Sequence, residues 1–250
     1  MQFAKKAIGG WPCPRCQKGT LVAGAENEVR ITTVESENLY EQVGDPEMLD
    51  MSIAVSLECS DSKCKEKAIC LANGSPEDVN YWDEEVGDYM ADFEVLYRPI
   101  YFYPCLRIFK IPEKVPELLQ ESILVSFQLF FCDPKSALGH LRIALEEMLN
   151  LLGVKKYIVK KNRRVRVSLH DRIDMLNAKY QQVKELCFAI KWHGNAGSHS
   201  DSQITRNDVL DAYEIFEVIL EIIYEEKTRR ANQLAKKINK QKGIRKKKPE

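Results

Sequence analysis

The chain has 250 residues and a mass of 28.8 kDa, enough for one large domain or two smaller ones. Hydrophobic residues make up 44% and charged residues 30%, a balance that supports both a core and a solvated surface. The net charge of zero conceals a division: residues 227–250 hold eleven Lys and Arg against one acid, while the remainder holds 26 basic and 36 acidic residues.

The opening stretch MQFAKKAIGGWPCP has no apolar run of signal-peptide type, and the longest apolar run, Ile123 to Cys132, is too short to span a membrane. The expected compartment is the cytoplasm, with no membrane partner. In WPCPRCQKG, Cys13 and Cys16 lie in a C-P-x-C-x-x-G turn, and ECSDSKCKE supplies Cys59 and Cys64. Two such pairs presented by short strands predict a zinc ribbon in which Cys13, Cys16, Cys59 and Cys64 hold a structural zinc. Four thiolates leave no open coordination place, so the ion is expected to stabilise and not to catalyse. Strand-like segments are expected at Gly19 to Ala23, Glu28 to Val34, Ser52 to Leu57 and Lys67 to Leu71. Cys70, Cys105, Cys132 and Cys187 sit in apolar contexts and read as small core residues.

Ser75 to Asp88 is acidic and turn-rich, and reads as an exposed connection. Tyr89 to Phe109 is rich in aromatics and broken by Pro99 and Pro104, which predicts an edge strand or extended segment. IPEKVP, from Ile111 to Pro116, is the expected linker into a helical part.

From there the apolar period changes from two to about 3.6. One helix is expected to run to about Phe131 on Leu119, Ile123, Phe127 and Phe130. A second starts after Asp133-Pro134 and carries Leu138, Leu141, Leu145, Met148 and Leu152 until Gly153. Lys155 to Val167 is basic and predicts a loop or short hairpin. Ser168 with Asp171 has capping-box spacing for a third helix, with Leu169, Ile173 and Leu176. Val183, Leu186, Cys187 and Ile190 mark a fourth ending at Gly194, and Thr205 with Asp208 caps a fifth on Val209, Tyr213, Phe216, Leu220 and Ile223. The predicted fold is α+β: a small N-terminal β zinc ribbon followed by an antiparallel α-helical bundle. The domains are then 1–110, the ribbon with a β-rich extension, 115–226, the bundle, and 227–250, a basic tail.

Between the fourth and fifth helices, FAIKWHGNAGSHSD gathers Lys191, His193, Asn195 and His199 around Gly194 and Gly197. A His can move a proton near neutral pH and a Lys can stabilise a developing anion. Arg142 and Glu146, four apart on the second helix, read either as a surface ion pair or as a tie to the Asn195 loop. In the tail, Lys236, Lys237, Arg245, Lys246, Lys247 and Lys248 are candidates for binding RNA or DNA. No interleaved aromatics accompany them, so binding there should be salt-sensitive and sequence-tolerant. No nucleotide-binding loop, paired-carboxylate metal site or Ser/Cys nucleophile arrangement stands out.

Leu141-Arg142 with Glu146 in HLRIALEEMLNLLG, Gly194-Asn195 and His199 in IKWHGNAGSHS, and the segment IFEVILEIIYEE together resemble the family known as domain of unknown function 4145, over about Val115 to Glu226. The resemblance implies a prokaryotic protein associated with defence or stress systems, and kinship with HEPN helical bundles. Many of those are metal-independent endoribonucleases acting as dimers. It would make His199 the proton-transfer group, Lys191 or Arg142 the stabiliser of phosphate charge, and Asn195 an orienting donor. This sequence departs from the ribonuclease pattern, because the Arg expected with four to six residues between it and the His would fall at Gly194, His193 or Trp192, none of which is Arg. The leading expectation is a nucleic-acid or protein binding module without enzymatic activity, with a defence-system protein as one partner and a homodimer as one assembly. The alternatives are an endoribonuclease centred on His199 and a structural interaction domain.

Overall fold

The computed structural model describes residues 3–4, 9–84, 86–196 and 204–241. It divides into two compact units: residues 1–107 with 127–132, and residues 108–126 with 133–250.

The first unit is a curled antiparallel sheet of five strands. These are β1 (Phe3–Ala4), β2 (Leu21–Thr32), β3 (Met51–Cys59), β4 (Lys67–Asp83) and β5 (Asp88–Tyr103), in the order β1-β5-β4-β3-β2. Period-two alternation aims Ile53, Val55, Leu57 and Cys59 of β3 inward with Ala68, Cys70 and Ala72 of β4. Helix α1 (Val34–Val43) separates β2 from β3; the Thr33 side chain accepts from Ser36 N at its start, and Gly44, at φ 76°, ends it. Trp11, Phe102 and Phe131 form an aromatic cluster, with ring centroids 4.9 to 5.5 Å apart.

The structure differs from three of the expectations. The N-terminal part is not a small ribbon: its strands reach 17 and 16 residues, and a ten-residue helix is built into it. The acidic segment 75–88 is not a connection but the distal part of a β4–β5 hairpin. Strand β5, expected at an edge because of Pro99, lies between β4 and β1, and a register shift beside Ala72↔Pro99 accommodates the missing donor.

The second unit carries α2 (Glu117–Leu129) up to Ser126, α3 (Pro134–Leu151), α4 (Leu169–Asp174), α5 (Gln181–Ala196), α6 (Arg206–Tyr224) and α7 (Glu226–Gln241). It also holds a two-stranded sheet, β6 (Tyr157–Lys160) and β7 (Arg163–Arg166). It is therefore not the plain antiparallel bundle expected. The apolar stripes nevertheless fall where their spacing puts them: Leu119 and Ile123, Leu138, Leu141, Leu145 and Met148, and Val209, Tyr213, Phe216 and Leu220 are all buried. Ser126 links three helices from inside that core. Its hydroxyl donates to the Ala137 carbonyl at 2.7 Å and lies 2.8 Å from the Tyr213 hydroxyl.

Among the described residues, no helix is long and apolar enough to cross a membrane. Of the leftover cysteines, Cys70 and Cys187 are buried and burial pushes both thiols up to about 12, whereas Cys132 is exposed.

Asp133 caps α3, accepting from Ser136 N at 3.0 Å, and the hydrogen bonds from the Ser136 side chain and backbone hold its carboxyl below the ordinary carboxylate range. A depressed carboxyl stabilises the fold above its ordinary value of about 4 and loses that contribution as pH falls. Asp133→Ala is expected to cost about 1 kcal/mol at neutral pH in urea unfolding, with the gap to the parent narrowing in acid.

Candidate functional site

Two knuckles of backbone bring four sulfurs together. In the first, Cys13 N donates to Gly19 O at 2.9 Å and Gln17 N to Cys13 O at 3.0 Å, with Gln17 in the left-handed region at φ 54°. In the second, Cys59 N donates to Glu66 O at 2.8 Å, and Cys64 N and Lys65 N both donate to Asp61 O. Lys65, at φ 52°, takes the place that Gln17 takes in the first turn. A cross-link of Ser60 N to Thr20 O at 2.8 Å and Thr20 N to Ser60 Oγ at 3.0 Å ties the knuckles side by side.

Cys13 Sγ is then 3.8 Å from Cys64 Sγ and Cys16 Sγ is 3.7 Å from Cys59 Sγ, and all four sulfurs lie within 4.8 Å of one another. A tetrahedral ion with metal–sulfur bonds of about 2.3 Å requires sulfurs about 3.8 Å apart. The cluster therefore has the dimensions of a tetrathiolate metal site.

Backbone amides already serve the sulfurs, with Gly19 N donating to Cys16 Sγ and Asp61 N to Cys59 Sγ, each at 3.4 Å. The amides of Gly19 and Lys18 push the Cys16 thiol down to about 6, while burial pushes Cys59 up to about 12. A cation binding the four sulfurs would draw off the protons that remain on the set.

Gly19 is required by close approach. A Cβ there would sit 2.6 Å from Cys59 Sγ and 2.9 Å from Asp61 N. Gly19→Ala is expected to displace the Cys59 sulfur and lower the metal content of purified protein, whereas Cys132→Ser leaves metal content and melting temperature unchanged.

The other sequence-derived residues are distributed differently. Helix α5 runs through Gly194 to Ala196, so it does not stop at Gly194. Gly194 is packed against α3: a Cβ there would meet Arg142 Cβ at 2.9 Å and Cδ at 3.0 Å. Arg142 and the Gly194-Asn195 motif are thus neighbours by helix crossing. Gly194→Ala should force Arg142 aside and cost about 1–3 kcal/mol in unfolding free energy. Lys191 is 8% exposed and its Nζ lies 3.4 Å from the Trp192 ring centroid. His199 and the Asn195 side chain lie outside the described residues, as do Arg245, Lys246, Lys247 and Lys248. Lys236 and Lys237 are exposed on α7. Glu146 pairs with Arg166 at 3.1 Å and lies 3.8 Å from Arg172.

Arg172, which sequence reasoning missed, is 1% exposed and donates to Asn150 Oδ1 at 2.6 Å. It ties α4 to the end of α3, and burial lowers its affinity for the proton. Only its position beside Ile173 in the helical pattern could have pointed inward, and its charge argued against that.

At the base of the basic hairpin, Arg166 is held by Glu146. Lys161 and Asn162, at φ 47° and 60°, form its two-residue turn, and the register runs from Tyr157↔Arg166 to Lys160↔Arg163. Lys155, Lys156, Lys160, Lys161, Arg163, Arg164 and Arg166 are all exposed, and 155–167 contains no acid. The Arg164 guanidinium carbon stands 4.1 Å from the centre of the Tyr157 ring.

Residues 126–242 match the family described as Domain of unknown function (DUF4145). That match supports the resemblance read from the C-terminal motifs. Residues 1–102 match a second family, described as Domain of unknown function (DUF8608). No curated protein and no solved structure matches the chain.

Proposed function

We propose that the protein is a nucleic-acid-binding module whose first unit is held together by a structural zinc on Cys13, Cys16, Cys59 and Cys64. The observation that carries the binding reading is the β6–β7 hairpin, a solvent-exposed ribbon with five cationic side chains and no acid, preceded by the exposed Lys155 and Lys156. Such a surface attracts a phosphate backbone and releases its condensed counterions, giving affinity that falls steeply with salt. Exposed Lys236 and Lys237 on α7 add to the same field. The short pairing of Arg164 with Tyr157 holds one guanidinium in place, which lowers the entropy lost when it meets a phosphate.

The zinc reading rests on the donor set. Four thiolates at tetrahedral spacing favour a soft or borderline ion, and the absence of an open position in a four-sulfur set gives it a stabilising role.

The test measures binding of labelled single-stranded RNA and duplex DNA at several salt concentrations. Arg163→Ala with Arg164→Ala should weaken binding and reduce the slope of log affinity against log salt by about two. An unchanged slope would remove the hairpin from the interface. Metal analysis should find about one zinc per chain, and chelation should lower the melting temperature of the first unit.

A further inference from the structure

Only part of the β4–β5 hairpin belongs to the five-stranded sheet. Strand β3 accompanies β4 as far as Met51↔Gly74, and β1 meets β5 at Tyr97 and Leu96. Beyond these points, among the described residues, the two strands pair with each other alone, from Pro76↔Val95 to Asp83↔Asp88. The result is a two-stranded arm, a form that is marginal in water unless something packs on it.

Its composition is unusual for a solvated arm. Trp82 and Tyr89 are cross-strand neighbours with ring centroids 5.2 Å apart, yet they are 53% and 69% exposed. Tyr81 and Met90, opposite each other on the other face, are exposed as well. Residues 75–97 contain eight acids and no Lys or Arg. Two such arms would repel each other, so the surface calls for a cationic partner with apolar side chains.

Helix α7 has that chemistry. From Lys227 to Gln241 it holds six Lys and Arg and no acid. Leu234 and Ile238, one turn apart, are 49% and 52% exposed, and Arg230 and Lys237 border them on the same face. The two surfaces are opposite in sign, and each carries exposed apolar groups.

We propose that the β4–β5 arm is the docking surface for helix α7 of a second copy of this chain. Each copy gives its arm and its helix, so two reciprocal contacts close a two-fold dimer. Leu234 and Ile238 cover Tyr81 and Met90, while Arg230 and Lys237 meet Asp88 and Glu94, which alternate onto the same face of the arm. The contact is charge-driven, and salt weakens it.

The experiment is sedimentation velocity on the full chain with its metal, at about 50 mM and about 500 mM salt. The expected result is a dimer at low salt whose dissociation constant rises at least about tenfold at high salt. Asp88→Lys with Glu94→Lys on the arm, or Arg230→Glu with Lys237→Glu on α7, should each give monomer. Both pairs combined in one chain should restore the dimer, a rescue that misfolding could not produce. Circular dichroism and metal content verify that each variant is folded. A parent that stays monomeric at low salt overturns the proposal, as an α7–arm contact within one chain would. So does a dimer lost with the arm variant but indifferent to the α7 variant, since another segment or another protein would then be the occupant.

Discussion

Closure of two cysteine knuckles around one point is the constraint on which the first unit depends. Cys59 ends β3, and Cys13 lies between the Pro12↔Thr20 bridge that precedes β2 and the turn that follows. The sulfurs can meet only if β2 and β3 keep the register Leu21↔Cys59. The geometry therefore transmits outward: the knuckles fix the strand ends, the strand ends fix the inward row of Ile53, Val55 and Leu57, and that row orders β4. Gly19 is where this arrangement has least room, because the space a side chain would need is already occupied by a Cys59 sulfur.

The second unit uses a different device. Apolar stripes bury the helices against one another, and a small number of interior polar groups decide how they align. Ser126 bonds to α3 and faces Tyr213 of α6, Arg172 reaches Asn150 of α3, and Gly194 lets α5 approach Arg142 closely. The hairpin that carries the cations is joined to this frame through Arg166 and Glu146. A rigid base under the charged ribbon would suit the proposed nucleic-acid contact, since ordering the ribbon at the moment of contact would cost free energy.

Much of this was legible in the residues. The spacing of Cys13, Cys16, Cys59 and Cys64 announced the cluster, because thiolates with two to four residues between them have few other reasons to recur in pairs. The buried stripes of the helices, the Asp133, Ser168 and Thr205 caps and the β6–β7 hairpin followed from period and capping chemistry. The arm was not legible: acids and turn formers in 75–88 resemble a solvated connection, and only long-range pairing with β5 makes them strand. Pro99 pointed to an edge strand or an extended segment, and β1 covers β5 at Leu96 and Tyr97. Helix α1 is short and polar, with no stripe to reveal it. Arg172 was hidden because a lone arginine in a short helix reads as surface until its partners on α3 are known.

The most direct test of the tetrathiolate account is titration of reduced, metal-free protein with cobalt(II), followed by cysteine alkylation and mass spectrometry. The account predicts that one equivalent gives the intense visible absorption of a tetrahedral sulfur site and protects Cys13, Cys16, Cys59 and Cys64, while exposed Cys132 reacts. Absence of that spectrum, or alkylation of any of the four in the loaded protein, would contradict it.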